Sequence, residues 1–204
     1  MTERGAIGGF ILAGGKSERM GRPKGLLPFA GKPLVRHLAQ LLEVTGEPAV
    51  IIGPPGDYGG LGLRVIPDDR RDAGPLGGIA TALRVSDCAW NLIVGCDLPF
   101  LTTDWLEHLI QRATDSPADA VLPLNEQGLE PLCAMYRKRI EPDLTAALSR
   151  GVRKITDGLA KLTIETIAPA EWKRFDPRGR LFKNINTPAD YEDAQKSLEA
   201  GSHT

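Results

Sequence analysis

Three short stretches hold the residues whose types and spacing could do chemistry. The first runs from Leu12 to Lys24 and reads LAGGKSERMGRPK. Gly14 and Gly15 lack a Cβ, so the backbone there can turn sharply and aim successive N–H groups at an anion. Lys16, Arg19, Arg22 and Lys24 follow within the same loop. A nucleoside triphosphate carries about four negative charges near neutral pH, and neutralising them favours attack on phosphorus. Arg19 would approach the phosphates as a fork of donors and Lys24 as a point charge. The plainer reading is a flexible loop with solvated charges. The second stretch, Leu92 to Leu101 (LIVGCDLPFL), places Asp97 directly after an apolar run. A lone carboxylate there suits Mg²⁺, which takes one or two carboxylates and completes its octahedron with phosphate oxygens and water. Alternatively, Asp97 caps a turn before Pro99. The third stretch, Pro67 to Asp72 followed by Gly74-Pro75-Leu76-Gly77-Gly78, joins carboxylates to a glycine-opened helix start. A helix N-terminus of this kind is a ready anion site. Asp68 stands first after a strand and is the better candidate for base N–H groups or ribose hydroxyls. Asp69 and Asp72 read as a charged surface loop.

Two familiar glycine motifs are excluded. A P-loop needs glycine five residues before its Gly-Lys-Ser, and Phe10 occupies that place before Gly15-Lys16-Ser17. The dinucleotide pattern G-x-G-x-x-G is also absent from this turn.

The elements that must position these residues follow from apolar patterning. Ile7 to Ala13 reads as a buried strand stopped by glycines. A loop then runs to Pro33, which suits the first position of a helix whose Leu34, Leu38, Leu41 and Leu42 share one face. Strands are predicted at 49–52, 63–66 and 90–95, with a helix over 79–85 between the last two. A helix over 103–113 comes next, then strands at 120–124 and 132–136 flanking the turn Asn125 to Gly128. Helices at 139–149 and 154–159 and a strand at 162–167 complete the second half. In the last helix Thr187 caps, Pro188 is first, and Asp190 completes a capping-box-like pattern. Strands alternating with helices predict an α/β fold, with a mostly parallel sheet, helices on both faces and a small antiparallel excursion in the second half. Ligands in such sheets bind beyond the carboxyl ends of the strands. All three polar stretches follow strands.

Length and composition narrow the rest. The 204 residues suit a single domain. About 1–100 would form a nucleotide-binding part and about 101–204 an acceptor-binding part. A net charge of −1 offers no general attraction to nucleic acid or anionic lipid. With aromatic residues at 5% and no basic face interleaved with them, nucleic-acid binding has no support. No apolar run reaches membrane-spanning length, and Lys16-Ser17-Glu18-Arg19 is unlike a secretory cleavage site. Cys88, Cys96 and Cys133 form no C-x-x-C pair, which fits a reducing, cytoplasmic setting. His37, His108 and His203 lack metal-ligand spacing and read as structural or solvent-facing.

Together the three stretches resemble the molybdenum cofactor guanylyltransferases, within the superfamily of small nucleotidylyltransferases. LAGGKSERMG, Lys24-Gly25-Leu26-Leu27 and Gly31-Lys32-Pro33-Leu34 are similar to that family's opening signature. GPLGG (74–78), CDLP (96–99) and NINTP (184–188) match later motifs in the same order. The resemblance implies a Rossmann-like nucleotidyltransferase fold that moves GMP from GTP to the terminal phosphate of molybdopterin or molybdenum cofactor, releasing pyrophosphate. It implies that Leu12, Ala13, Gly14 and Gly15 line the guanine nucleotide, with Gly53 nearby and Lys24 on the phosphates. Asp68 would help hold the nucleoside, and Asp97 would hold Mg²⁺ beside the α-phosphate. Arg19, Gly77, Gly78, Asn184 and Asn186 match positions on the molybdopterin side. Lys24, Arg19 and Asp97 would be the catalytic set. The attacking phosphate is already anionic, so no strong general base is invoked. The expected assembly is a monomer with transient contact to cofactor-delivery proteins.

Two departures bear on the base. Gly53 stands where that family often has asparagine, and Arg22-Pro23 replaces a longer stretch ending in an acidic residue. Gly-Gly at 14 and 15 favours guanine, because cytidylyl relatives tend to carry alanine in this turn. The alternatives are a cytidylyltransferase or another enzyme joining a nucleotide to a phosphate, and a non-catalytic nucleotide-binding relative.

Overall fold

A computed structural model describes residues 6–14, 21–68 and 73–201. Gly15, Lys16, Arg19, Asp69, Asp72 and His203 lie outside the described residues.

The strands form where short apolar runs can be buried on both faces. β1 (Ile7–Leu12) and β4 (Trp90–Gly95) are buried along their whole length. They pair in parallel from Ile7↔Trp90 to Leu12↔Gly95. On the other side of β1 come β2 (Val50–Ile52) and then β3 (Arg64–Ile66), both parallel. Beyond β4 the direction changes. β6 (Cys133–Arg137) lies antiparallel to both β4 and β5 (Ala120–Asn125), and β7 (Ile164–Ile167) closes the edge parallel to β5. The strand order is thus β7-β5-β6-β4-β1-β2-β3. The chain leaves β1 towards β2 and β3 and later returns to the opposite side at β4. The crevice at the ends of β1 and β4 is therefore where such sheets bind ligands.

Side-chain alternation sends successive residues into two cores. Ile11, Leu92 and Val94 join one core with α1 (Leu34–Leu41) and α3 (Thr103–Thr114), through Leu34, Leu38, Trp105 and Leu109. Phe10, Leu12 and Ile93 join the other with α2 (Gly74–Val85) and α4 (Glu141–Ser149), through Leu76, Ile79 and Leu144. The last helix, α5 (Pro188–Gly201), returns to the first half, where the Tyr191 hydroxyl donates to the Pro28 carbonyl at 2.6 Å.

Three local expectations need correction. Pro33 precedes the helix instead of opening it: Lys32–Pro33 pairs with Pro28–Phe29 in a small hairpin. Its two-residue turn, Ala30 (φ 49°) and Gly31 (φ 76°), has both residues left-handed, as a type I′ turn requires. α2 begins at Gly74, so GPLGG lies inside the helix, with Pro75 in its first turn, where the missing N–H costs nothing. The turn at Asn125 to Gly128 does not join β5 directly to β6. It returns into a two-residue strand, Gly128–Leu129, and the chain then crosses to insert β6 between β4 and β5.

Candidate active site

The carboxyl ends of β1 and β4 meet through hydrogen bonds. Cys96 N donates to Leu12 O at 3.0 Å, and Ala13 N donates to Ile52 O at 2.9 Å. The turn beginning at the exposed Gly14 therefore starts on the same sheet edge as Asp97. Leu12 and Ala13 are buried and form the wall beneath that edge. Gly53 packs on this wall: a Cβ there would lie 3.1 Å from Ala13 O. A larger side chain at that position would push the backbone of the first turn. Asp68 follows β3, and its Oδ1 accepts a hydrogen bond from the buried Thr81 hydroxyl of α2 at 3.1 Å. Gly77 and Gly78 are buried within α2, and a Cβ on Gly78 would meet Leu12 Cδ1 at 3.3 Å. Small residues thus let α2 approach the end of β1 closely.

Lys24 is drawn to the same edge. It opens a short 3-10 helix, Lys24–Leu26, and its Nζ lies 3.6 Å from Asp97 Oδ2. The same ammonium donates to Asn186 Oδ1 at 2.6 Å, across 162 residues of sequence. Asn186 is positioned by the start of α5. Its N–H and that of Thr187 both donate to Asp190 Oδ2, and the Thr187 hydroxyl accepts from Asp190 N. The neighbouring Ile185 N donates to the Asp97 carbonyl at 2.9 Å, which ties the 184–186 segment to the end of β4. Asn184 is half-buried beside it, and among the described residues its buried Oδ1 has no hydrogen-bond partner. Lys24, Asp97 and Asn186 form one cluster, with Asn184 next to it.

Asp97 sits in poor solvent. Burial raises its carboxyl above the usual range, and the Lys24 ammonium opposes that rise. Gly95 makes room for it, because a Cβ there would stand 2.8 Å from Asp97 Oδ1. Cys96 is inert by the same physics: burial, then the Asp97 charge, push its thiol up to about 12. His37 Nε2 donates to Pro99 O, 3.2 Å away, and the ring packs edge-on against Phe29. Both residues are structural.

Sequence reasoning missed Glu130. It precedes Pro131 in the crossing that leads into β6, beside the end of β4, where Gly95 N donates to Leu132 O at 2.8 Å. Burial raises its carboxyl to about 7, with the Asp97 charge adding to the rise and a backbone hydrogen bond at Leu132 opposing it. The only sequence signal was a charged residue directly before a proline and a buried run, which loops share commonly.

The Asp97 carboxylate is an oxygen donor of the kind a hard cation takes, the Glu130 carboxylate lies close enough to feel its charge, and the unpartnered Asn184 amide oxygen belongs to the residue before Ile185, whose N–H holds the Asp97 carbonyl. Among the described residues no three His, Cys, Asp or Glu side chains cluster as a protein-only metal cage. A cation bound there would complete its coordination with substrate oxygens and water.

Residues 9–163 match the model of the MobA-like NTP transferase domain. A relative from Flavobacterium johnsoniae, named probable molybdenum cofactor guanylyltransferase, is 35% identical over 93% of this chain and 96% of its own length. One from Syntrophotalea carbinolica, named molybdenum cofactor guanylyltransferase, is 30% identical over 89% and 87%. The crystal structure of molybdopterin-guanine dinucleotide biosynthesis protein A from Archaeoglobus fulgidus superposes with a TM-score of 0.82 at 26% identity, covering 94% of this chain and 98% of that one.

Proposed function

Because this chain belongs to the MobA-like NTP transferase family, among its molybdenum cofactor guanylyltransferases, we propose that it transfers GMP from GTP to the terminal phosphate of molybdopterin or molybdenum cofactor. The observation that carries this reading is the meeting of Lys24, Asp97 and Asn186 at the switch-point edge of the sheet. The first half of the chain would hold the nucleotide and the second half the acceptor. Asp97 lies between them, held from one side by β4 and from the other by the segment leading into α5.

An oxygen of the acceptor phosphate attacks the α-phosphorus of GTP as the bond to the β-phosphate oxygen breaks, and pyrophosphate leaves with that electron pair. The nucleophile is already an anion, so the protein has no proton to remove. Its task is to align two polyanions and offset their repulsion. Lys24 supplies a positive charge between the two halves, and Asn186 and Asp97 fix where that charge stands. Leu12, Ala13, Gly14 and Gly15 would line the guanine nucleotide, with Gly53 beneath and Asp68 on the nucleoside, its carboxylate steadied by Thr81. Arg19 would reach the phosphates from the first loop. Gly77, Gly78 and Asn184 would border the acceptor with Asn186. Mg²⁺ held by Asp97 would neutralise charge on the α-phosphate. No cysteine or histidine takes part. We further propose a cytoplasmic monomer that meets cofactor-delivery proteins transiently; the free cysteines at 88, 96 and 133 fit the reducing compartment in that reading. Among the described residues no helix is long and apolar enough to cross a membrane.

The test is pyrophosphate release from GTP with Mg²⁺ and molybdopterin. GTP should outcompete CTP, and Asp97→Ala should abolish release while the protein stays folded. Preferential use of CTP moves the protein to the cytidylyl branch. Nucleotide binding without any turnover would make it a non-catalytic relative, and undiminished turnover in Asp97→Ala would remove Asp97 from its role.

A further inference from the structure

The crossing that inserts β6 into the sheet carries Glu130 to the end of β4 for a reason its own hydrogen bonds do not explain. Its carboxylate accepts from Asn125 Nδ2 at 3.0 Å and from the Leu132 backbone, and its own N–H donates to Pro123 O at 2.8 Å. Both donors are neutral. Among the described residues no lysine or arginine pairs with it, although it is half-buried. Leu132 ties it to the end of β4. Gly95 N donates to Leu132 O at 2.8 Å, and the Cβ that Gly95 lacks would stand 3.4 Å from Leu132 Cβ and 2.8 Å from Asp97 Oδ1. Leu132 thus stands between the two carboxylates, bonded through its backbone to Glu130 and facing the space beside Asp97 Oδ1, while Lys24 approaches Asp97 at Oδ2.

Among the described residues two half-buried carboxylates share this edge with one ammonium. Such an arrangement is costly unless a proton or a cation fills it. We infer that Glu130 is a second carboxylate for the divalent cation, acting beside Asp97 directly or through a coordinated water and setting how tightly the cation is held. This inference rests on the reading of Asp97 given above. A hard cation that keeps several waters is served equally by a direct and by a water-bridged carboxylate. The hydrogen bonds from Asn125 and Leu132 would then be the outer shell that fixes the ligand's direction.

The experiment is a titration of the full chain with Mn²⁺ alone, followed by water-proton relaxation at pH 8. Glu130→Gln keeps the side chain's shape and its hydrogen-bonding oxygen but removes the charge. It should weaken Mn²⁺ binding about tenfold or more, the size expected for partners of this kind. Glu130→Asp, which keeps the charge, should bind within a few-fold of the parent. Circular dichroism on each variant checks the fold. Parent-like Mn²⁺ affinity in Glu130→Gln, with binding lost in Asp97→Ala, overturns the inference alone and leaves Glu130 an anchor of its turn. Parent-like affinity in Asp97→Ala overturns the reading of the site itself.

Discussion

Glu130 and Asp97 are both carboxyls that the fold holds in their neutral direction, and this links the site to stability. The Glu130 carboxyl rises from its ordinary 4.5 to about 7. The folded state therefore keeps a proton that the unfolded chain releases near pH 4.5. The stability this brings is complete below that pH and is lost as pH climbs through about 7. With a chelator present, Glu130→Gln should melt higher than the parent at pH 8, and the gap should close towards pH 4.5. The shift corresponds to about 3 kcal/mol at most, reduced to roughly 1–2 kcal/mol by the solvent Glu130 still touches. A scanning-calorimetry series across pH measures it, and a gap independent of pH would contradict the assignment. Gly95 is the matching steric case. With a methyl there the Asp97 carboxylate must swing away, so Gly95→Ala should cost both Mn²⁺ affinity and pyrophosphate release while sparing GTP binding, as parallel assays would show.

At the scale of elements, the start of α5 does two jobs with one motif. Thr187, Pro188 and Asp190 form the cap that the sequence announces, and the same Asp190 oxygen holds the Asn186 N–H. Thr187→Ala removes one cap bond and should cost about 1 kcal/mol, lowering the melting temperature by about 2–4 °C for a chain of this size. Because the cap also steadies Asn186 against Lys24, turnover should fall along with stability, whereas an ordinary cap far from a site would change stability alone. α2 shows the reverse economy. Its small residues, not its polar ones, bring it onto Leu12, and its one buried hydroxyl there, Thr81, turns to Asp68.

Across the whole molecule, the sheet and α3 bind the halves together. Trp105 on α3 is fully buried, donates from Nε1 to Cys133 Sγ at 3.3 Å on β6, and packs against Phe175 and Phe182 in the segment before α5. It therefore links the inserted strand to the region that presents Asn184 and Asn186. Trp105→Ala should cost about 3–5 kcal/mol, and urea unfolding followed by circular dichroism would report it. An Arg112 ion-pair network joins the same helix to Glu165 on β7 and to Glu171, and His108 Nε2 meets Glu171 Oε1 at 2.7 Å. Arg112 holds the Glu171 carboxyl below its usual range. Being partly exposed, this network should add little beside the aromatic core.

The mostly parallel α/β class, the strands expected at 7–13 and 90–95, the helix expected at 103–113 and the Thr187 cap were legible along the chain, because each is written in local signals: apolar runs, a 3.6-residue period, a threonine-proline start. The order of motifs also singled out Lys24, Asp97, Asn184 and Asn186. The meeting of Lys24 with Asn186 is a product of folding alone, since a contact across 162 residues has no periodicity to betray it. The insertion of β6 was equally hidden: the strand's own pattern is the same whichever neighbours it joins, and the choice belongs to the sheet as a whole. Glu130 follows from that insertion. Read along the chain it is one charged residue before a proline, and only strand order brings it to the end of β4 beside Asp97.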